Sequence, residues 1–277
     1  MKTRVITALV GLCVFLPLLI FSHTYAGCFL AQLLCLFAVY EITGATGLRK
    51  KWHLSLPLYL PAVGLPLLIF FEATRDHFFE YSALVFALIA FYIMTCAVFS
   101  RGKIKPTDAS VLFTMLFYSF IGFNAIYFLR HQPNGGYLMV LLFLTPWATD
   151  IFAYFSGRLF GKHKLIPDVS PKKTVEGAVG GFVMATVITV LYGLFIGLFT
   201  TATPNYPLLI LAGVLMSLFS MVGDLVASLV KRHYGIKDYS RLLPGHGGVL
   251  DRFDSNLAAA YILIILYELP FGFSLFN

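Results

Sequence analysis

The 277-residue sequence predicts an all-α fold, a polytopic integral membrane protein with about nine transmembrane helices, the N-terminus cytoplasmic and the C-terminus outside. Two observations predict it, the composition and the placement of the basic residues. Hydrophobic residues make up 59% of the chain, charged residues only 12%, and the mean hydropathy is +0.84. A soluble domain carries about 25% charged and about 45–50% apolar residues. The 28 Phe and 15 Tyr exclude a disordered chain. Cys13, Cys28, Cys35 and Cys96 are scattered through apolar runs, which excludes a disulfide scaffold and a CxxC metal site and makes them small packing residues.

Crossing a hydrocarbon core of roughly 30 Å takes about 20 apolar residues. Runs of that kind fall at about 5–22, 26–46, 54–72, 81–99, 109–129, 137–159, 176–199, 206–230 and 250–271. Pro57, Pro61, Gly64 and Pro66 make the third the weakest, kinked or broken into a short or re-entrant piece. Met1–Arg4, the first run and Thr24-Tyr25-Ala26 also fit a cleavable signal peptide, which would leave the remaining topology unchanged.

The basic residues test this parsing independently. With the N-terminus inside, 18 of the 20 Lys and Arg fall in inner segments and only Arg75 and Arg130 fall outside, the asymmetry expected of a membrane protein. Nine of the 13 acidic residues share the inner side, so orientation accounts for the net charge of +7 and no nucleic-acid partner is needed. The chain divides into an N-terminal scaffold, 1–130, expected to face lipid or form a dimer, and a C-terminal region, 131–277. The latter carries the two longest connections, 160–175 and 231–249, both cytoplasmic in this parsing.

Ionisable residues in or beside spans are costly, and they mark function. Asp150 follows Pro146 by four positions, where the lost backbone hydrogen bond can open a wet pocket. Asp150, Tyr154, Gly157 and Gly161 recur at helical spacing, a face first polar and then narrow enough for close helix approach. Asp224 lies near the inner end of the eighth run, with Ser228 one turn on and Lys231-Arg232 at the exit. Asp251 and Asp254 share a face at the start of the ninth. Carboxylates from two helices beside Lys and Arg suit Mg²⁺ and phosphate. Asp254 alone equally fits a helix-start cap or a pair with Arg252.

Pro244-Gly245-His246-Gly247-Gly248 precedes the ninth run, and its glycines can expose backbone N–H groups to an anion. His246 there fits a phosphate donor, a proton carrier or a plain turn residue. The segment Ser170-Pro171-Lys172-Lys173-Thr174-Val175-Glu176-Gly177 offers Ser170 and Thr174 as helix caps, Glu176 to close a capping arrangement, and two lysines for phosphate. Lysines that merely attract anionic lipid headgroups explain the pair equally well.

From Ser228 to Asp254 the chain reads SLVKRHYGIKDYSRLLPGHGGVLDRFD, which resembles the signature of phosphatidate cytidylyltransferases, the CDP-diacylglycerol synthases. The positions that carry it are Ser228, Lys231-Arg232, Lys237-Asp238, Pro244, His246-Gly247-Gly248, Asp251-Arg252 and Asp254. GRLFGKHKL and SPKKTVEG, upstream, are similar too. The resemblance implies that CTP and phosphatidate become CDP-diacylglycerol and pyrophosphate with Mg²⁺, the number of metal ions being left open. It also implies a homodimer in the bacterial cytoplasmic membrane, with a polar cavity facing the cytoplasm. Asp224 and Asp251 would bind metal, joined in the reading of the residues by Asp254. Lys172, Lys173, Arg252 and His246 would hold phosphates. Ser170, Ser228, Lys231, Arg232, Lys237, Gly247, Gly248 and Asp150 would contact substrate. A CTP-dependent lipid kinase would release CDP instead, and a transporter would favour inverted repeats around a midplane site.

Overall fold

The computed structural model describes residues 20–268 and 274–277. Most of the first expected span, with Lys2, Arg4 and Cys13, lies outside the described residues. The long helices are α1 (Tyr25–Ala45), α2 (Trp52–Phe70), α3 (Phe78–Phe99), α4 (Pro106–Arg130), α5 (Gly135–Phe160), α6 (Val175–Phe199), α7 (Tyr206–His233) and α8 (Leu250–Glu268). The first seven are long and apolar enough to cross a membrane, and the protein is an all-α polytopic membrane protein. In α8 the acidic and basic residues Asp251, Arg252 and Asp254 crowd the first turns of an otherwise apolar helix.

The prolines act on α2 as expected. A 3₁₀ turn at Leu56–Leu58 holds Pro57 and joins Trp52–Ser55 to Tyr59–Phe70, with Pro66 inside the last piece. Thr24 caps α1 through the Ala26 N–H, and Thr174 caps α6 through the Gly177 N–H. Between α5 and α6 lies a two-stranded antiparallel hairpin, β1 (Lys164–Ile166) and β2 (Ser170–Thr174).

The described residues form two compact units. The first is Met1–Phe128 with Val230–Arg252, and the second is Leu129–Leu229 with Phe253–Asn277. The stretch 230–252 thus belongs by its contacts to the same unit as the N-terminal helices. Polar anchors in the first unit account for this: buried Glu41 on α1 binds Ser240 and the N–H groups of Val249 and Leu250, while half-buried Tyr234 donates to Asp108 on α4 at 3.0 Å. The apolar core of this unit includes Cys35, Phe78 and Phe120, and Asn124 bonds the Phe120 carbonyl at 2.9 Å within it. Cys28 and Cys35 are buried packing residues without disulfides.

In the second unit α5 and α6 approach closely along small residues. A Cβ at Gly177 would lie 2.7 Å from the Ala153 carbonyl oxygen, and one at Gly181 would lie 2.7 Å from that of Thr149. The hydroxyls of Thr145 and Thr189 meet across the same seam at 2.9 Å. The narrow face expected around Gly157 is thus a helix–helix contact, with Gly157 against Gly177 and Thr174.

Candidate active site

The second unit contains a cavity of about 310 Å³ lined by Asp150, Tyr154, Arg158, Lys172, Lys173 and Met221 among others. Two elements supply most of its polar groups. Helix α5 presents Asp150, Tyr154 and Arg158 at i, i+4 and i+8, one face of a helix. Strand β2 carries Lys172 and Lys173 into the cap of α6. Helix α7 contributes Met221 to the lining, and its Asp224, outside that lining, pairs with Lys173 at 2.5 Å and lies within electrostatic range of Asp150. Lys173 Nζ is shielded from solvent and makes no hydrogen bond beyond that ion pair. Such an ammonium has donors to spare for an anion entering the cavity.

Glu176 fastens the connection above this cavity. Its carboxylate accepts the N–H groups of Lys162 and His163 and pairs with His163 Nδ1 at 2.6 Å. The capping role expected for Glu176 is therefore directed to the start of the loop, and Ser170 begins β2 rather than capping α6.

In the first unit the stretch after α7 encloses a larger cavity, of about 640 Å³, lined by Lys237, Asp238, Ser240, Arg241, His246 and Arg252 among others. Three cationic side chains against one carboxylate make it an anion-attracting site. His246 Nδ1 is shielded and has no hydrogen-bond partner among the described residues. Gly245 and Gly247 adopt positive φ, 78° and 85°, which lets the chain turn back so that Leu243 and Gly247 bridge.

The amides that the sequence offered to an anion at the head of α8 are instead used internally. Asp251 Oδ2 accepts the N–H groups of Tyr239 at 2.8 Å and Gly248 at 2.9 Å, and Oδ1 binds Lys231 Nζ at 2.7 Å. Val249 and Leu250 donate to Glu41. The reason is physical: a buried helix N-terminus must satisfy its N–H groups, and two carboxylates of the chain do so. Arg232 is exposed and points back to the Ile236 carbonyl. Asp254 Oδ1 accepts the Ser255 N–H, a local bond at the start of α8. Ser228 sits one turn beyond Asp224 on α7.

Among the described residues, no group of three or more His, Cys, Asp or Glu side chains is gathered for a metal ion. Mg²⁺ needs less than that, since one or two carboxylates completed by phosphate oxygens and water suffice. Asp150 and Asp224, with Lys173 between them and the cavity alongside, fit that requirement. Asp251, its side chain 3% exposed and both oxygens engaged, holds the loop together in this state.

A family model for the cytidylyltransferase family matches residues 2–270. The chain belongs to the cytidylyltransferase family. It is 34% identical over 266 residues to phosphatidate cytidylyltransferases of Staphylococcus haemolyticus (strain JCSC1435) and Staphylococcus epidermidis (strain ATCC 12228 / FDA PCI 1200). It is 34% identical over 268 residues to that of Staphylococcus aureus (strain COL). In each case 96% of this chain and 98% of the relative are covered. The likeness therefore reaches well beyond the C-terminal signature.

Several polar residues of this family member escaped the sequence reading of the site. Arg158 and Arg241 line the two cavities but read in sequence as ordinary positive-inside residues. Glu41 carried a usable signal, a carboxylate within an apolar run, which is costly unless it is partnered.

Proposed function

We propose that this chain transfers the cytidylyl group of CTP to phosphatidate, giving CDP-diacylglycerol and pyrophosphate for phospholipid biosynthesis. The observation that carries this reading is the likeness to phosphatidate cytidylyltransferases over 96% of the chain. An oxygen of the lipid phosphate attacks the α-phosphorus of CTP, the new P–O bond forms, and the bond to the β-phosphate oxygen breaks to release pyrophosphate. A monoester phosphate has its second pKa near about 6, so the nucleophile is already largely dianionic at neutral pH and needs no strong base.

The obstacle is repulsion between two anions, and cationic side chains in each unit, taken by itself, suit phosphate. Lys172, Lys173 and Arg158 line the cavity of the second unit, and Lys237, Arg241, His246 and Arg252 that of the first, and each set has donors for phosphate oxygens. Asp224, with Asp150 beside it, holds Mg²⁺, and Lys173 keeps those two carboxylates from repelling each other. Mg²⁺ bound there supplies electrostatic neutralisation of the triphosphate. The metal roles of Asp251 and Asp254 belong to the same proposal. So do a homodimer and a place in a bacterial cytoplasmic membrane with the site facing the cytoplasm; the basic-residue asymmetry supports the orientation alone.

The test is product analysis. Purified protein in lipid nanodiscs with CTP, Mg²⁺ and phosphatidate should release pyrophosphate and form a cytidine-bearing lipid, and chelation with EDTA should abolish both until Mg²⁺ is restored. Release of CDP with a phosphorylated lipid alcohol would overturn the reaction, and full turnover in EDTA would overturn the metal.

A further inference from the structure

Glu41 is 0% exposed, near the end of α1, and among the described residues no lysine or arginine pairs with it. What it has instead is three neutral donors from a part of the chain about 200 residues away. Oε1 accepts the Ser240 hydroxyl at 2.7 Å and the Val249 N–H at 2.7 Å, and Oε2 accepts the Leu250 N–H at 2.8 Å. Donors reach both oxygens, so only a carboxylate satisfies them; a glutamine would set its own NH₂ against one of the amides. The approach is so close that a Cβ at Gly248 would collide with this carboxylate, which gives that glycine a reason independent of any ligand.

Glu41 and Asp251 together take four backbone amides between residues 239 and 250. Those residues form the frame of the cavity lined by Lys237, Arg241, His246 and Arg252. We infer that Glu41 is a positioning residue: it fixes the head of α8 and the turn before it, so that those four side chains converge on one phosphate-bearing ligand. The inference rests on the cytidylyltransferase reading for the identity of the ligand but on the bonds of Glu41 for the mechanism. An unmatched buried N–H is costly enough to displace the turn.

The experiment uses Glu41→Gln in the full chain, with Ser240→Ala as a milder variant that removes one donor. Amide hydrogen exchange on the ligand-free protein should be at least about tenfold faster at Val249 and Leu250 in Glu41→Gln. The inhibition constant of inorganic pyrophosphate and the KM of CTP should rise by about tenfold, with kcat changing less than about threefold. Ser240→Ala should move the same quantities in the same direction by a smaller factor, and it decides the question alone if Glu41→Gln does not fold. Unchanged exchange, or faster exchange with unchanged pyrophosphate inhibition, overturns the role of Glu41. If the parent protein lacks cytidylyl transfer, the functional reading fails separately, and exchange with calorimetric binding of inorganic pyrophosphate still judges Glu41.

Discussion

Lys173 Nζ stands 2.5 Å from Asp224 Oδ2, joining the residue before the cap of α6 to the C-terminal half of α7. The pair lies within electrostatic range of Asp150, so one lysine of the cavity wall balances two carboxylates. A cation held this way is pre-organised before any substrate arrives, and it has donors left over.

Replacing Lys173 with Ala should therefore cost activity far more than stability. Loss of one pre-organised electrostatic group lowers kcat by roughly 10²–10³, and pyrophosphate release under saturating CTP and Mg²⁺ measures it. A variant within threefold of the parent would remove Lys173 from the site.

Lys231 and Asp251 make the opposite case. Their side chains are 11% and 3% exposed and lie 2.7 Å apart, so Lys231→Met strands a carboxylate away from water. Breaking a buried pair from one side costs about 3–5 kcal/mol, and a thermal unfolding scan in detergent should show the lowered midpoint. Asp251→Asn should be destabilised as well as inactive, because an amide cannot keep Lys231, Tyr239 and Gly248 all as donors to it. An inactive Asp251→Asn with the parental midpoint would mean that this carboxylate serves the chemistry and not the loop.

The glycine seam supplies a control within the chain. A Cβ on Gly181 would meet the Thr149 carbonyl at 2.7 Å, whereas one on Gly64 meets nothing within 4 Å. Gly181→Ala should lower stability by about 1–3 kcal/mol through overpacking. Gly64→Ala should be neutral or stabilising by up to about 1 kcal/mol. Equal effects in thermal scans would show that α5 and α6 do not meet along that seam.

Tyr234 lies just beyond α7, and burial pushes its hydroxyl pKa up, with the hydrogen bond to Asp108 and that residue's charge adding to the rise. The sign follows from linkage. The unfolded chain ionises its tyrosine near about 10 while the folded one resists, so stability is complete below that pH and declines as pH climbs above it. Tyr234→Phe should flatten that decline and cost about 0.5–1.5 kcal/mol at neutral pH. A decline as steep in Tyr234→Phe as in the parent would remove the assignment.

Much of this molecule was legible along the chain because membrane insertion is decided by local quantities. Apolar run length is read one segment at a time, and α1 to α8 lie on the second to ninth expected runs. The kinked third run, the capping threonine at 174 and the close approach at Gly157 follow from proline, hydroxyl and glycine chemistry that needs no distant partner. The family signature around Ser228–Asp254 was equally local.

Partnership over long separations was not. The sequence determined that this is a helical membrane protein carrying a cytidylyltransferase signature, because hydropathy, charge bias and motif are properties of contiguous residues. Only the tertiary structure decided that Lys173 faces Asp224, that Asp251 is spent on Lys231 and two amides, and that Glu41 closes the head of α8. A buried carboxylate must find donors wherever the fold brings them, and spacing along the chain does not say which helix will deliver them.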